Sequence, residues 1–160
     1  AIRLGSEKVE KIAEGPLAQE SHLIENFKQI FLMIAGNATQ KFGSKLEEEQ
    51  QVLQALADIL IEIYFAESAL LRTLKNCNRN GVKSQEIQIA MVQSYVLEAQ
   101  SLISKRSKEV VIHLAGENKN EKEQLLLVVQ KHGEYIDSPD GIALHIKIAD
   151  HVIQNKGYCF

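Results

Sequence analysis

The sequence predicts an all-α fold, an antiparallel bundle of five or six helices of which two or three are long. Apolar residues recur at three- and four-residue steps, and no segment shows the two-residue alternation of a strand. Gln50 to Asn76 contains neither Gly nor Pro. The links between the periodic segments are short, which favours antiparallel neighbours.

Six helices are predicted, each bounded by turn or capping residues. They run from Ser6 to before Gly15, from Ser21 to Phe42, from Leu46 to Asn76, from Ser84 to Ala115, from Asn120 to Lys131 and from Pro139 to Asn155. The first begins at Ser6, a good N-cap, and Gly43 closes the second. Glu residues in the first turn favour the start of the third, because the helix dipole stabilises anions there.

Turn signals separate the later helices. The Asn-rich stretch from Asn76 to Gly81 is predicted to be a turn, and Gly116 ends the fourth helix. Asn120, with Glu123 three residues later, resembles a capping box. Ser138 is the predicted N-cap of the last helix, with Pro139 as its first residue. The predicted core of that helix is Ile142, Ile146, Ala149, Val152 and Ile153.

Composition narrows the class of protein. A length of 160 residues with 45% hydrophobic residues predicts one soluble domain over residues 1–160. A net charge of −3 argues against a nucleic-acid partner. No apolar run approaches the length of a membrane span. Cys77 and Cys159 lie far apart; one disulfide is possible, but two free thiols in a reducing cytoplasm is the preferred interpretation.

The long third helix carries a predicted structural polar cluster of Asp58, Glu62, Glu67 and Arg72. Carboxylates on facing helices can hold a di-iron centre, but that site also needs Glu-x-x-His, which the sequence lacks. Glu62 and Glu67 lie among apolar residues, so a partly buried one needs a cation, either Arg72 or Arg106. We expect Arg72 to neutralise Glu67 or a carboxylate on a facing helix.

Other chemical motifs are missing from the sequence. His145 and His151 are six residues apart and point to different helix faces, unlike the closer spacing of zinc-binding helices. There is no Walker loop, Gly-x-Ser-x-Gly or Gly-x-Gly-x-x-Gly motif. We therefore predict no catalytic, cofactor-binding or metal-binding residue in this chain.

A motif on the third helix carries a family resemblance. Leu56-Ala57-Asp58, Ile61-Glu62, Tyr64 and the trailing Arg72 resemble the C-terminal extension of very-long-chain-type, bacterial acyl-CoA dehydrogenases. The similarity extends over about Leu17 to Lys75. It implies a non-catalytic C-terminal domain, a piece of a longer FAD-dependent enzyme that oxidises fatty acyl-CoA in β-oxidation.

The resemblance also implies partners. The domain would pack on the catalytic core of the same polypeptide, which would hold the FAD, and would shape a homo-oligomer. Mitochondrial members bind membranes through Arg-rich sequence ahead of the matched helix; Ser6 to Glu14 here has mixed charge, which argues against membrane binding. The alternatives are a freestanding helical interaction or adaptor module and, less favoured, a ligand-binding bundle.

The breadth of the apolar arc on Gln50 to Asn76 exceeds what one neighbouring helix covers. We therefore expect an exposed apolar patch that docks on the catalytic core or across a dimer axis.

Overall fold

The computed structural model describes residues 15–156, and over this range the fold is an all-α bundle, as predicted. Its helices are α1 (Ala18–Phe42), α2 (Gln50–Asn80), α3 (Glu86–Ala115), α4 (Lys119–His132) and α5 (Gly141–Asn155). Short 3-10 turns, Gly43–Glu48 and Val82–Gln85, link α1 to α2 and α2 to α3. The helix predicted from Ser6 lies outside the described residues, as do Cys159 and the rest of 157–160.

Helix α3 is the centre of the bundle, because it contacts each of the other four α-helices. Helices α1 and α2 pack on it and on each other, and α4 lies against α1 and α3. The largest fully buried apolar side chains come from α1, α2, α3 and α4: Phe27, Leu23, Ile24, Ile30, Ile34, Ile59, Ile103, Val96, Val110, Val111 and Val129. Cys77 is a buried free thiol.

Several helix boundaries differ from the predicted ones. Helix α2 continues through the Asn-rich stretch to Asn80 and ends at Gly81, whose φ of 85° suits glycine. The N-cap of α4 is Asn118 rather than Asn120, and its side chain accepts a hydrogen bond from the Glu121 amide. The N-cap of α5 is Asp140 rather than Ser138, since its carboxylate accepts from the Ala143 amide.

Helix α5 is peripheral. Among the described helices it contacts only α3, and none of its residues is buried. Gly141 lies beside Leu97 and Lys147 reaches Glu86, so α5 runs antiparallel to α3, back towards the start of that helix. Most of its predicted core is wrong for this reason. The exposed members of that predicted core are Ile142, Ile146, Ala149 and Ile153, whereas Val152 is half-buried.

Candidate functional site

The three carboxylates of the predicted polar cluster each bind a different residue on a neighbouring helix. Asp58 Oδ2 lies 2.8 Å from Arg106 Nη2 on α3. Glu62 Oε2 accepts a 2.7 Å hydrogen bond from the Tyr95 hydroxyl, also on α3. On the other side of α2, Glu67 Oε1 lies 2.6 Å from Lys28 Nζ on α1. The carboxylates therefore fasten α2 to both of its neighbours.

These contacts shift the pKa values of the partners. Hydrogen bonds to Glu25 and then Glu67 raise the pKa of Lys28, outweighing its partial burial. Burial raises the pKa of Tyr95 to about 12, and the hydrogen bond to Glu62 adds to the effect. Each partner is thus held in the protonated form that its carboxylate binds, an arrangement that stabilises the bundle and leaves no poised acid or base.

Arg72 does not join this cluster, so the expected pairing with Glu67 or a facing carboxylate is wrong. Its side chain is exposed, and it forms no ion pair within residues 15–156. Lys28 occupies the position beside Glu67 that we expected Arg72 to take. The physical reason is direction: Glu67 points to the α1 side of α2, whereas Arg72 points to solvent on its outer side.

The outer side of α2 is apolar, although the inner side of the same helix forms the core. We call this surface the α2 face. Its members and exposed fractions are Leu60 50%, Ile61 50%, Tyr64 66%, Phe65 54% and Leu71 58%. The rings of Tyr64 and Phe65 contact each other edge to face at 5.6 Å. The three carboxylate contacts lie along its two edges, so an apolar centre is flanked by polar groups, as in protein interfaces.

A second apolar surface lies on α5. We call it the α5 stripe: Ile142, Ile146, Ala149 and Ile153, all exposed. Beside it is an open groove of about 510 Å³ between α5 and Ile87 of α3, lined also by Ala143, Ile146, Lys147, Asp150, His151 and Gln154. The sequence analysis recognised the apolar pattern of these residues but assigned it to the core of the bundle, whereas the structure leaves them exposed.

A separate cleft, of about 560 Å³, lies between the start of α2 and the second half of α3. Its charged lining is Glu48, Glu49, Arg106, Glu109 and His113, and Arg106 is already bound by Asp58 and Glu109. A lining richer in carboxylates than in free cations repels a pyrophosphate. This cleft therefore does not fit the pyrophosphate of FAD.

Among residues 15–156, no group of three or more His, Cys, Asp or Glu side chains is placed to hold a metal ion. In the same range, no helix is long and apolar enough to cross a membrane. The surfaces that remain as candidates are the two apolar ones.

Sequence reasoning missed the residues that complete these sites. Lys28 and Tyr95 lie on other helices, and nothing in the sequence pairs them with Glu67 and Glu62. The exposed aromatic residues Tyr64 and Phe65 carried a usable signal, because they fall outside the periodic stripe that α2 buries.

Comparisons with known proteins show which family this helical bundle resembles. The family model described as acyl-CoA dehydrogenase, C-terminal domain, matches residues 26–136. A probable acyl-CoA dehydrogenase of Bacillus subtilis (strain 168) is 35% identical over 103 residues, 64% of this chain and 17% of that protein. A crystal structure of acyl-CoA dehydrogenase complexed with FAD from Bacillus anthracis has a TM-score of 0.90 and 30% identity. It covers 96% of this chain, and the chain spans 26% of it.

Proposed function

The chain belongs to the acyl-CoA dehydrogenase C-terminal domain family, and we propose that it serves as the non-catalytic domain of an FAD-dependent enzyme that oxidises fatty acyl-CoA. In this proposal the α2 face packs on the catalytic core of the same polypeptide. The chain spans only 17% and 26% of the two relatives, so most of such an enzyme lies outside it.

Helix α2 supports the proposal because it is apolar on two sides, one buried in the bundle and the other exposed. Ile59, Ile63 and Leu70 point into the bundle core, while five large apolar side chains point outward and are half exposed or more. An exposed contiguous apolar patch with a polar edge marks an interaction surface in a folded domain. A helix of 31 residues with this pattern is suited to packing between the bundle and a second body.

Charge favours the catalytic core over a second copy as the occupant of the α2 face. Arg72 and Lys75 are exposed at the C-terminal end of the face. In an antiparallel pair of α2 helices, centred on the apolar residues, they would lie opposite Gln54 and Ala57, which carry no charge. The face therefore fits a different surface, with an apolar centre and a carboxylate near one end for Arg72.

The chemistry belongs to the remainder of the enzyme in this proposal. The cleft between α2 and α3 does not fit the pyrophosphate of FAD, and Asp58, Glu62 and Glu67 are each bound to a neighbouring helix rather than placed as a catalytic base. The core would bind the flavin and the acyl-CoA, and the domain described here would hold that core in shape. A cytoplasmic location is part of the same proposal, supported by the free thiol of Cys77.

Radical footprinting tests the proposal by comparing the 160-residue chain with a full-length enzyme that contains it. Tyr64 and Phe65 should be oxidised readily in the isolated chain and protected in the full-length enzyme. Leu127 on α4 is 64% exposed and is the internal control, with equal oxidation in both. Unchanged oxidation of Tyr64 and Phe65 would contradict docking through α2 and would favour the freestanding module.

Substitution gives a second test of the same surface. Ile61→Asp in the full-length enzyme should weaken the contact between the domain and the core. A lower concentration of protease should then be enough to release the domain. Leu127→Asp is the matched control, since it adds the same charge at another exposed apolar position.

The isolated chain should stay colourless when mixed with FAD and gel-filtered; stoichiometric retained flavin would overturn the assignment of the flavin to the core.

A further inference from the structure

We propose that the C-terminal end of α2 binds an acidic segment of the catalytic core. Three exposed cations, Arg72, Lys75 and Arg79, form the binding surface, which we call the cation row. The inference rests on the proposed function, because it names the chemistry of the surface that the α2 face would meet. It adds to the apolar contact a charged one with a defined place and spacing.

Charge is segregated on α2. The three carboxylates of the helix point sideways, and each is bound by a residue of α1 or α3. The cation row contains every basic residue of the helix, and all three are exposed. Among residues 15–156, none of the three lies within ion-pair distance of a carboxylate. The acids of α2 therefore stabilise the bundle, whereas its cations are available to a surface outside it.

The cation row continues the α2 face along the helix. Arg72 follows the exposed Ser68 by four residues, and Lys75 and Arg79 follow at steps of three and four, so all of them share one side of α2. At 1.5 Å per residue the row is about 10 Å long, and it begins about 16 Å from Ile61. One partner that lies along α2 can thus contact the apolar part and the charged part together.

The helix dipole does not account for the whole row. It stabilises cations in the last turn of a helix, which suits Arg79, because α2 ends at Asn80. Arg72 lies two turns further back, where this effect has faded. Its charge has no partner in the described bundle, so the row is better explained by an anionic partner outside it.

The shape of the surface argues against a small phosphate-bearing ligand. Neither the groove beside α5 nor the cleft between α2 and α3 includes a residue of the cation row. Sites for small molecules are concave and enclose most of the ligand. A row of three cations on the convex side of one helix instead fits a partner that extends along it.

The distribution of charge argues against a lipid surface and a second copy. Helices that lie on anionic membranes carry cations along the edges of the apolar face, whereas Asp58, Glu62 and Glu67 occupy the edges here. Two α2 helices packed in parallel would place their cation rows side by side, and like charges repel. The remaining partner is a protein segment with at least two carboxylates about 10 Å apart, the length of the row.

Zero-length cross-linking tests the proposal in a full-length enzyme that contains this chain. A water-soluble carbodiimide joins an amine directly to a carboxylate that is in contact with it. Lys75 should therefore be joined to an Asp or Glu of the catalytic core, identified by mass spectrometry. Lys119, an exposed lysine at the start of α4, is the internal control and should give no such product.

Two double variants that keep Lys75 test the charge of the whole row. Arg72→Glu with Arg79→Glu should abolish the Lys75 cross-link, because the reversed charges repel the acidic segment. Arg72→Lys with Arg79→Lys keeps the charge and should add cross-links at both new lysines. In about 1 M NaCl, where the Debye length is about 3 Å, the yield at Lys75 should fall while that of the control stays unchanged. Circular dichroism checks that each variant keeps its helix content.

Three results would overturn the proposal: a yield at Lys75 no higher than at Lys119, a Lys75 product that survives the reversal of both arginines, or a product that joins two copies. An equal mixture of ¹⁴N- and ¹⁵N-labelled enzyme identifies products between copies by their mixed isotopes. Protection of Tyr64 and Phe65 without a Lys75 product would leave the proposed function intact and remove only this inference. Unprotected Tyr64 and Phe65 would contradict the proposed function itself, so the two failures are distinguishable.

Discussion

The Tyr95 hydroxyl on α3 donates a 2.7 Å hydrogen bond to Glu62 Oε2 on α2, joining the two longest helices near the middle of their contact. Burial and then this hydrogen bond raise the pKa of Tyr95 from its ordinary 10.0 to about 12. The bond needs the phenol proton, because a phenolate would repel the carboxylate. The link between α2 and α3 is therefore sensitive to alkaline pH.

Tyr95→Phe should lower the free energy of unfolding by about 1 kcal/mol at neutral pH, because Glu62 loses a donor at a partly buried site. The folded pKa is raised, so this contribution is fully present below pH 10.0 and is lost as the pH rises through about 12. Urea unfolding of both proteins across this range is the measurement. A difference that is absent at neutral pH, or that persists undiminished above the folded pKa, would contradict the assignment.

Arg72→Ala should change the free energy of unfolding by no more than about 0.5 kcal/mol, because the side chain is exposed and binds nothing within the described bundle. Lys28→Ala should cost more, up to about 1 kcal/mol, because Lys28 bridges Glu67 and Glu25. Urea midpoints of the two variants, measured side by side with Lys83→Ala as an exposed control, decide between them. A larger loss for Arg72→Ala would restore the pairing that the sequence predicted.

The polar cluster shows what a sequence can and cannot predict about a helical bundle. Helical periodicity was sufficient to predict that Glu62 and Glu67 lie beside buried positions and need partners. It was not sufficient to name those partners, because Tyr95 and Lys28 depend on which helices lie on each side of α2. Partner choice is a property of the assembled bundle, and local spacing does not contain it.

The predicted helix boundaries were wrong for a different reason: the capping signals in the sequence are ambiguous. Asn118 with Glu121 and Asn120 with Glu123 are overlapping copies of one pattern, and only the first forms the cap. Ser138 and Asp140 compete in the same way before α5, and the carboxylate of Asp140 is the acceptor. Within residues 15–156, helix type and order were predicted correctly because long apolar periodicity has no such competitor.

His132→Asn should flatten the loss of stability on acidification. Burial lowers the pKa of His132, and the nearby charges of Lys131 and His22 act in the same direction. A lowered folded pKa means that its stabilising contribution is present above the ordinary 6.5 and is lost as the pH falls through the folded value. Urea midpoints between about pH 7 and pH 5 should therefore decline less steeply in the variant. Equal slopes in the wild type and the variant would contradict the role of His132.

Helix α5 should open locally before the rest of the bundle, because it has no buried residue and α3 is its only neighbour among the helices of residues 15–156. Hydrogen exchange, followed at concentrations where the chain is monomeric, should show α5 amides exchanging well before those of α1, α2 and α3. Ile148→Ala removes apolar contact only from the half-buried face of α5, so it should speed exchange within that helix alone. Ile103→Ala, at a position that is 1% exposed in α3, should cost about 2–5 kcal/mol and speed exchange throughout the bundle. If α5 amides were protected as strongly as those of α3, the helix would belong to the cooperative core, and its outward stripe would need a cover within the chain itself.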